Sequence, residues 1–375
     1  MNEAPPGVSP RGSWCRETDN VVDPLRLTHG TRHSAVTMIP HLGLSLPNRG
    51  VLFGATTATE IVQLAERAEA TGAFGSVWVG DSILAKPRLE AIALLSGIAT
   101  RTTRVKLGTI CMASMTLRDP ILLAVQWASL DLLSGGRTIF GACLGGAGAS
   151  MGTGAREAEI YGVPSAGRVP RLEEEIALLR RLWTEDEVTF EGKVYRLAHV
   201  TALPRPQSPP PIWIATNPKR GRVGDHVIER ALARVARLGD GYMTDAITVD
   251  EFAWRWRRVR ELAGAAGRDP QALASCIHLM VNVGDDAEAS FDEAARFLRS
   301  YYGDIFDRPY LETWVISGPP DRVAARIGAY LEAGCTIPVL RFASWAQVTQ
   351  LERFAADVVP RLAGLLASAP SAAQR

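Results

Sequence analysis

The chain has 375 residues, 47% of them hydrophobic and 22% charged, with 41 Lys and Arg against 40 Asp and Glu for a net charge of +1. So much apolar side chain excludes a disordered protein, and the balanced charge, with no basic stripe or basic-aromatic patch, argues against a nucleic-acid partner. No apolar run reaches the roughly 18 uncharged residues of a membrane span, so no membrane partner is expected.

Residues 1–37 carry Pro5, Pro6 and Pro10, several charges, no periodicity and no apolar signal-peptide core, the composition of a disordered extension. Met38 directly precedes the first strand-like run and is the expected natural start of translation. Strands are then expected at Ile39–Leu46, Ser76–Val79, Val105–Cys111, Thr138–Cys143, Ile212–Ala215, Gly241–Met243, Ile277–Val283 and Ile337–Phe342. Helices are expected at Thr57–Thr71, Leu89–Thr100, Pro120–Leu133, Arg171–Trp183, Val227–Arg237, Asp250–Ala266, Glu288–Tyr301, Pro319–Ala333 and Ala346–Leu366. Most strand runs are continuously apolar, as strands covered on both faces require, which points to a buried parallel sheet. Several helices stop at glycine, as at Thr71-Gly72, Ser134-Gly135 and Ala333-Gly334, where the left-handed cap is cheap. Eight units in one run predict an α/β fold, a (β/α)8 TIM barrel forming one domain over residues 38–367, with a flexible tail at 368–375. An open doubly wound sheet is the competitor, but it seldom takes eight units.

Cys15, Cys111, Cys143, Cys276 and Cys335 stand singly; an odd, scattered set reads as buried thiols of a cytoplasmic protein. His41, His199, His226 and His278 lack metal-ligand spacing, so no metal is expected.

Barrel chemistry sits at the C-terminal ends of the strands, which singles out three loops. Leu144–Gly154 holds five glycines, suited either to close backbone approach by a ligand or to a loose connection. Thr184–Pro211 contains a hairpin over Val188–Leu197 turning at Gly192-Lys193, which serves as a lid, a dimer contact or mere decoration. Thr216–Arg222 sets three cations and a glycine before the helix at Val227, either a phosphate cradle or a solvated basic loop.

Seven segments come in a telling order: Ala65–Ser82, Thr103–Thr109, Asp119–Gly141, Leu179–Thr184, Val188–Tyr195, Pro209–Ala215 and Ala236–Gly241. In this order the chain resembles the luciferase-like monooxygenase family, the bacterial-luciferase superfamily of flavin- and deazaflavin-dependent oxidoreductases, over roughly Ile39–Leu366. The resemblance implies a ring cofactor in the barrel mouth, with its phosphate near the loop after the fifth strand. It also implies a non-proline cis peptide behind the ring, which maps to Ile110-Cys111. The cofactor-binding residues it implies are Asp81, Thr109, Ile110, Cys111, Leu144, Gly145, Gly146, Thr216, Asn217 and Arg220. Asp81 is the one catalytic candidate, a hydrogen-bonding partner of cofactor or substrate or else a helix cap. Ser82 stands where many deazaflavin enzymes of the family carry histidine. Leu144-Gly145-Gly146 stands where its sugar-phosphate dehydrogenases carry a glutamate proton donor, which argues against that oxidation.

The function expected on this basis is a monooxygenase that uses reduced FMN, supplied by a separate flavin reductase, on a small organic substrate. The alternative is a coenzyme F420-dependent oxidoreductase transferring hydride, whose acidic tail Lys219, Arg220 and Arg222 would suit. A noncatalytic flavin-binding protein is a second alternative. The family also implies a homodimer, formed through Leu89–Thr100 and Pro120–Leu133. The loops that choose the substrate are Leu144–Val169 and Tyr302–Thr313.

Overall fold

The computed structural model describes residues 42–145, 152–163 and 167–368. The expected extension at 1–37, His41, Gly146 and the stretch 147–151 of the glycine-rich loop lie outside the described residues, as do 369–375. In chain order the elements are β1 (Leu42–Ser45), α1 (Ala58–Thr71), β2 (Phe74–Val79), α2 (Ala91–Ala99), β3 (Lys106–Thr109), α3 (Pro120–Ser134), β4 (Thr138–Ala142), α4 (Gly152–Ile160) and α5 (Arg168–Thr184). They continue with β5 (Val188–Glu191), β6 (Arg196–Val200), β7 (Ile212–Ala215), α6 (Asp225–Leu238), β8 (Gly241–Asp245), α7 (Val249–Ala265) and β9 (Ala274–Val283). Last come α8 (Ala287–Tyr302), α9 (Arg308–Trp314), β10 (Val315–Gly318), α10 (Pro320–Glu332), β11 (Ile337–Phe342), α11 (Gln347–Arg353) and α12 (Val359–Ser368).

Eight parallel strands, in the order β11, β1, β2, β3, β4, β7, β8 and β9, close on themselves where β9 pairs with β11. The fold is a (β/α)8 TIM barrel. Its helices start where the chain supplies caps: Thr57 and Glu60 make a reciprocal capping box on α1, and Asp119 caps α3 just ahead of Pro120. Three features depart from expectation. β10 pairs in parallel with the outer half of the ten-residue β9, a strand hidden from sequence because it follows α9 without a turn residue. A helix, α4, lies inside the glycine-rich excursion. The terminal helix is divided by a π turn at Phe354–Val358.

The barrel interior is plugged by Trp78 and Trp213, whose rings lie 5.5 Å apart. The room for them comes from glycine: a Cβ on Gly108 would sit 2.4 Å from the Trp78 ring, and one on Gly241 would sit 2.6 Å from Trp213. Burying two of the largest side chains in this layer gives the mouth a rigid floor. Arg137 clamps the wall from the other end, donating to the carbonyls of Ala99, Thr102, Val105 and Ser134 and so tying α2, α3 and β3 together.

Candidate active site

Two cavities meet at the C-terminal mouth of the barrel, one of about 760 Å³ and one of about 200 Å³. They share Lys86, Ile110, Cys111, Ala113, Asp245 and His278 as a common wall.

The wall facing the larger cavity from β3 and β4 is built on close backbone approach. Gly141 accepts the Met112 amide at 2.6 Å and donates to Thr109 Oγ1 at 3.1 Å, and a Cβ on Gly141 would meet the Thr109 carbonyl at 2.0 Å. Thr109 is thus fully buried in the strand pairing and lies outside the cavity lining, unlike its expected place there. The next peptide bond, Ile110-Cys111, is cis. Cys111 and Cys143 are joined as a disulfide, with Cα atoms 6.1 Å apart. This corrects the reading of both as free thiols: they lie far apart in sequence, but the parallel β3 and β4 end side by side. Cys276 and Cys335 are free and buried. Leu144 and Gly145 line the larger cavity as expected. Gly145 has φ +73, and a Cβ there would lie 2.4 Å from the Ala113 carbonyl, so a side chain would be strained as well as crowded.

Asp81 lines the smaller cavity, yet its carboxylate is engaged. Oδ2 accepts the Ser114 amide at 2.7 Å, and Oδ1 lies 3.3 Å from the Arg118 guanidinium. Burial pushes its pKa up against the opposing pull of Arg118. Asp81 caps no helix of its own among the described residues; it holds the segment that leaves β3 while lining the smaller cavity. Ser82 Oγ in turn accepts the Lys86 amide at 2.9 Å. Lys86 projects into the shared wall with Nζ 5.0 Å from the Tyr302 ring, and burial, helped by Arg88, pushes its pKa down to about 8. His278 is buried, and that burial pushes its pKa well below the usual range, so the imidazole is neutral; its Nε2 has no hydrogen-bond partner among the described residues.

On the opposite side Thr216 and Asn217 line the larger cavity as expected. Asn217 donates to both the carbonyl and the carboxylate of Asp245, and its Oδ1 accepts from Arg255 at 3.2 Å. Two of the three cations after β7, Lys219 and Arg220, are otherwise occupied. Lys219 Nζ donates to the Ala246 carbonyl at 2.7 Å. Arg220 lies 3.7 Å from Glu251 and 4.5 Å over the Trp254 ring, outside the lining. α6 opens at Gly224 with no side-chain cap and carries Asp225 in its first turn, a charge that opposes an anion there. Arg220, expected as a cofactor contact, thus stands in a surface ion pair outside the lining of either cavity. Cationic side chains instead enter the cavity from the face of α6, at Arg230 and Arg234.

The smaller cavity is walled by Tyr302, Phe306, Tyr310 and Trp314, with Phe306 and Tyr310 stacked at 4.6 Å. The first three come from the 302–313 loop expected to choose the substrate, and Trp314 follows it directly. The β5–β6 hairpin contributes nothing to the described lining of either cavity. It is pinned to α5 by Glu174, which accepts the amides of Lys193, Val194 and Tyr195. Lys86, Asp245, His278, Arg230 and Arg234 escaped the sequence reading. Lys86 and Asp245 stand at strand exits and could have been found by that rule alone, whereas nothing in the chain says which face of α6 turns inward.

The profile of the family described as "Luciferase-like monooxygenase" matches residues 40–312. An F420-dependent glucose-6-phosphate dehydrogenase of Amycolatopsis mediterranei is 28% identical over 82% of this chain and 95% of its own length. An F420-dependent hydroxymycolic acid dehydrogenase of Mycobacterium tuberculosis is 27% identical over 80% of this chain and 84% of its own. Among solved structures, an F420-dependent secondary alcohol dehydrogenase in complex with an F420-acetone adduct superposes with a TM-score of 0.71 at 18% identity, covering 87% of this chain and 99% of the other. These relatives overturn the expectation of a monooxygenase using reduced FMN and a flavin reductase, because they are F420-dependent dehydrogenases.

Proposed function

Because the chain belongs to the luciferase-like monooxygenase family, we propose that it is a coenzyme F420-dependent oxidoreductase that moves a hydride between the deazaflavin and a small organic substrate. The observation that carries this reading is the pair of abutting cavities. One is roomy and walled by Ile110, Ala113, Leu144, Ala215 and Met243, which suits a flat tricyclic ring. The other is small and aromatic, which suits a substrate pressed against that ring.

When bound, the deazaflavin donates or accepts the hydride. The chain's own residues hold the two reactants in one place and keep water out. Ile110, Cys111, Leu144 and Gly145 back the ring site, Thr216 and Asn217 face it, and Asp81 keeps the Ile110–Arg118 segment in position through Ser114 and Arg118. Lys86 and the neutral His278, both in the shared wall, can hydrogen-bond a substrate oxygen; Lys86, titrating at about 8, can carry the proton that accompanies the hydride. The substrate is no sugar phosphate on this reading, since Ser82 and Leu144 offer neither the histidine nor the glutamate of that chemistry.

The test is turnover without air. Reduced F420 is mixed with ketones and enones, and oxidised F420 with secondary alcohols, while the cofactor's visible absorbance is followed. Turnover that proceeds equally well in anaerobic buffer is expected; a strict requirement for oxygen would rule the reading out.

We also propose a homodimer through α3, whose outer face exposes Leu122, Leu132 and Leu133. No helix among the described residues is long and apolar enough to cross a membrane.

A further inference from the structure

Three arginines gather at the α5–α6 edge of the larger cavity: Arg230 and Arg234 in its lining, and Arg168 buried beside it. Arg168 is the sharpest case. Its side chain is 4% exposed, and among the described residues its Nε and Nη1 have no hydrogen-bond partner. It sits directly before the lining residue Val169. Its Nη2 lies 3.2 Å from where a Cβ of Gly145 would be, so the guanidinium rests against the glycine backbone that bounds the cavity. The acid whose charge acts on it is Glu157, which makes no ion pair with it among the described residues and accepts the amides of Ile83, Leu84 and Ala85. A buried guanidinium with two idle nitrogens is costly unless an anion completes it.

Two more arginines extend the line outward. Arg230 and Arg234 lie four residues apart on α6, hence on one face of the helix, and both line the cavity. Arg230 has no carboxylate in contact among the described residues. Arg234 lies 2.9 Å from Glu173, which Arg237 also engages at 2.6 Å, so one carboxylate is divided between two guanidiniums. Of the loop cations after β7, by contrast, Lys219 is tied to Ala246 and Arg220 to Glu251, and neither lines the cavity.

Building on the F420 reading, we propose that this α5–α6 edge is the anion subsite of the cofactor cavity. Arg168 takes the phosphodiester, and Arg230 and Arg234 take carboxylates of the acidic tail. The planar donor fork of arginine matches both groups. Recognition of the tail would then come from the barrel's outer helices, and Lys219, Arg220 and Arg222 would have no part in it.

The experiment is an equilibrium fluorescence titration of the full chain with three ligands: the deazaflavin ring with its ribityl chain but no phosphate, the phospholactyl form without glutamates, and complete F420 with its oligoglutamate tail. Each addition should tighten binding by about 10-fold, and the tail step should shrink in high salt because exposed charges are screened. The Arg230→Ala/Arg234→Ala double variant should lose the tail step and still bind the phosphate-free form as the parent does. Arg168→Gln should lose the phosphate step. Should Arg168→Gln not fold, the exposed Arg230→Glu still decides the matter by reversing the tail preference. Equal binding of all three ligands, or a tail step lost in Arg222→Ala but kept in the α6 variants, would overturn the inference and leave the F420 reading standing. Failure of all three to bind would overturn both.

Discussion

Glu175 is enclosed between α5 and the β5–β6 hairpin, where Oε1 accepts the Tyr195 hydroxyl and Oε2 has no partner among the described residues. Burial pushes its pKa from 4.5 up to about 8, against the pull of the Tyr195 hydrogen bond and Arg171. A carboxyl raised in the folded state contributes fully below its unfolded value, and that contribution is lost as the pH climbs from about 4.5 through about 8. Glu175→Gln keeps an acceptor for Tyr195 and removes the titration. Chemical denaturation should therefore find the variant close to the parent near pH 5 and more stable than it by on the order of 1–3 kcal/mol near pH 9. Parallel stability curves for the two proteins would show that the acid ionises freely in place. The same residue-level logic separates Asp81 from Lys86. Both stand at the mouth, Asp81 buried and Lys86 half-buried, but Asp81 spends its oxygens on Ser114 and Arg118 while Lys86 keeps its ammonium on the shared wall.

At the scale of elements, Arg137 ties three together, with its guanidinium on four backbone carbonyls at the ends of α2, α3 and β3. Arg137→Met preserves the stem and strands those carbonyls, and a loss of about 2–4 kcal/mol in denaturant titration is expected; an unchanged midpoint would mean that water replaces the guanidinium without cost. The elements themselves were largely legible, because doubly covered strands are continuously apolar and helices such as α1 and α3 carry caps and end at Gly72 and Gly135. β10 was not legible. Four residues joined to a helix without a turn have no periodicity of their own, and only the overhanging half of β9 gives them a partner. The site divides along the same line. Leu144, Gly145, Thr216 and Asn217 follow strand ends and line the larger cavity, whereas Arg220 and Thr109 stand outside that lining, because sequence does not reveal that Glu251 and Gly141 engage them. The Cys111–Cys143 bridge was missed for a similar reason, since only the adjacency of two parallel strand ends brings those residues together.

At the scale of the molecule, the Trp78–Trp213 plug lies in the barrel interior and two abutting cavities open at its C-terminal mouth. If α3 joins two copies, sedimentation should show a dimer for the parent chain and a monomer for Leu122→Glu/Leu133→Glu, with the barrel still folded by circular dichroism. A monomeric parent would remove the interface. The central claim concerns the cofactor, and competitive equilibrium binding of oxidised F420 and FMN to the purified protein in anaerobic buffer tests it most directly. F420 should bind at least about 10-fold more tightly, a difference of about 1.4 kcal/mol. Equal affinity, or a preference for FMN, would contradict the account.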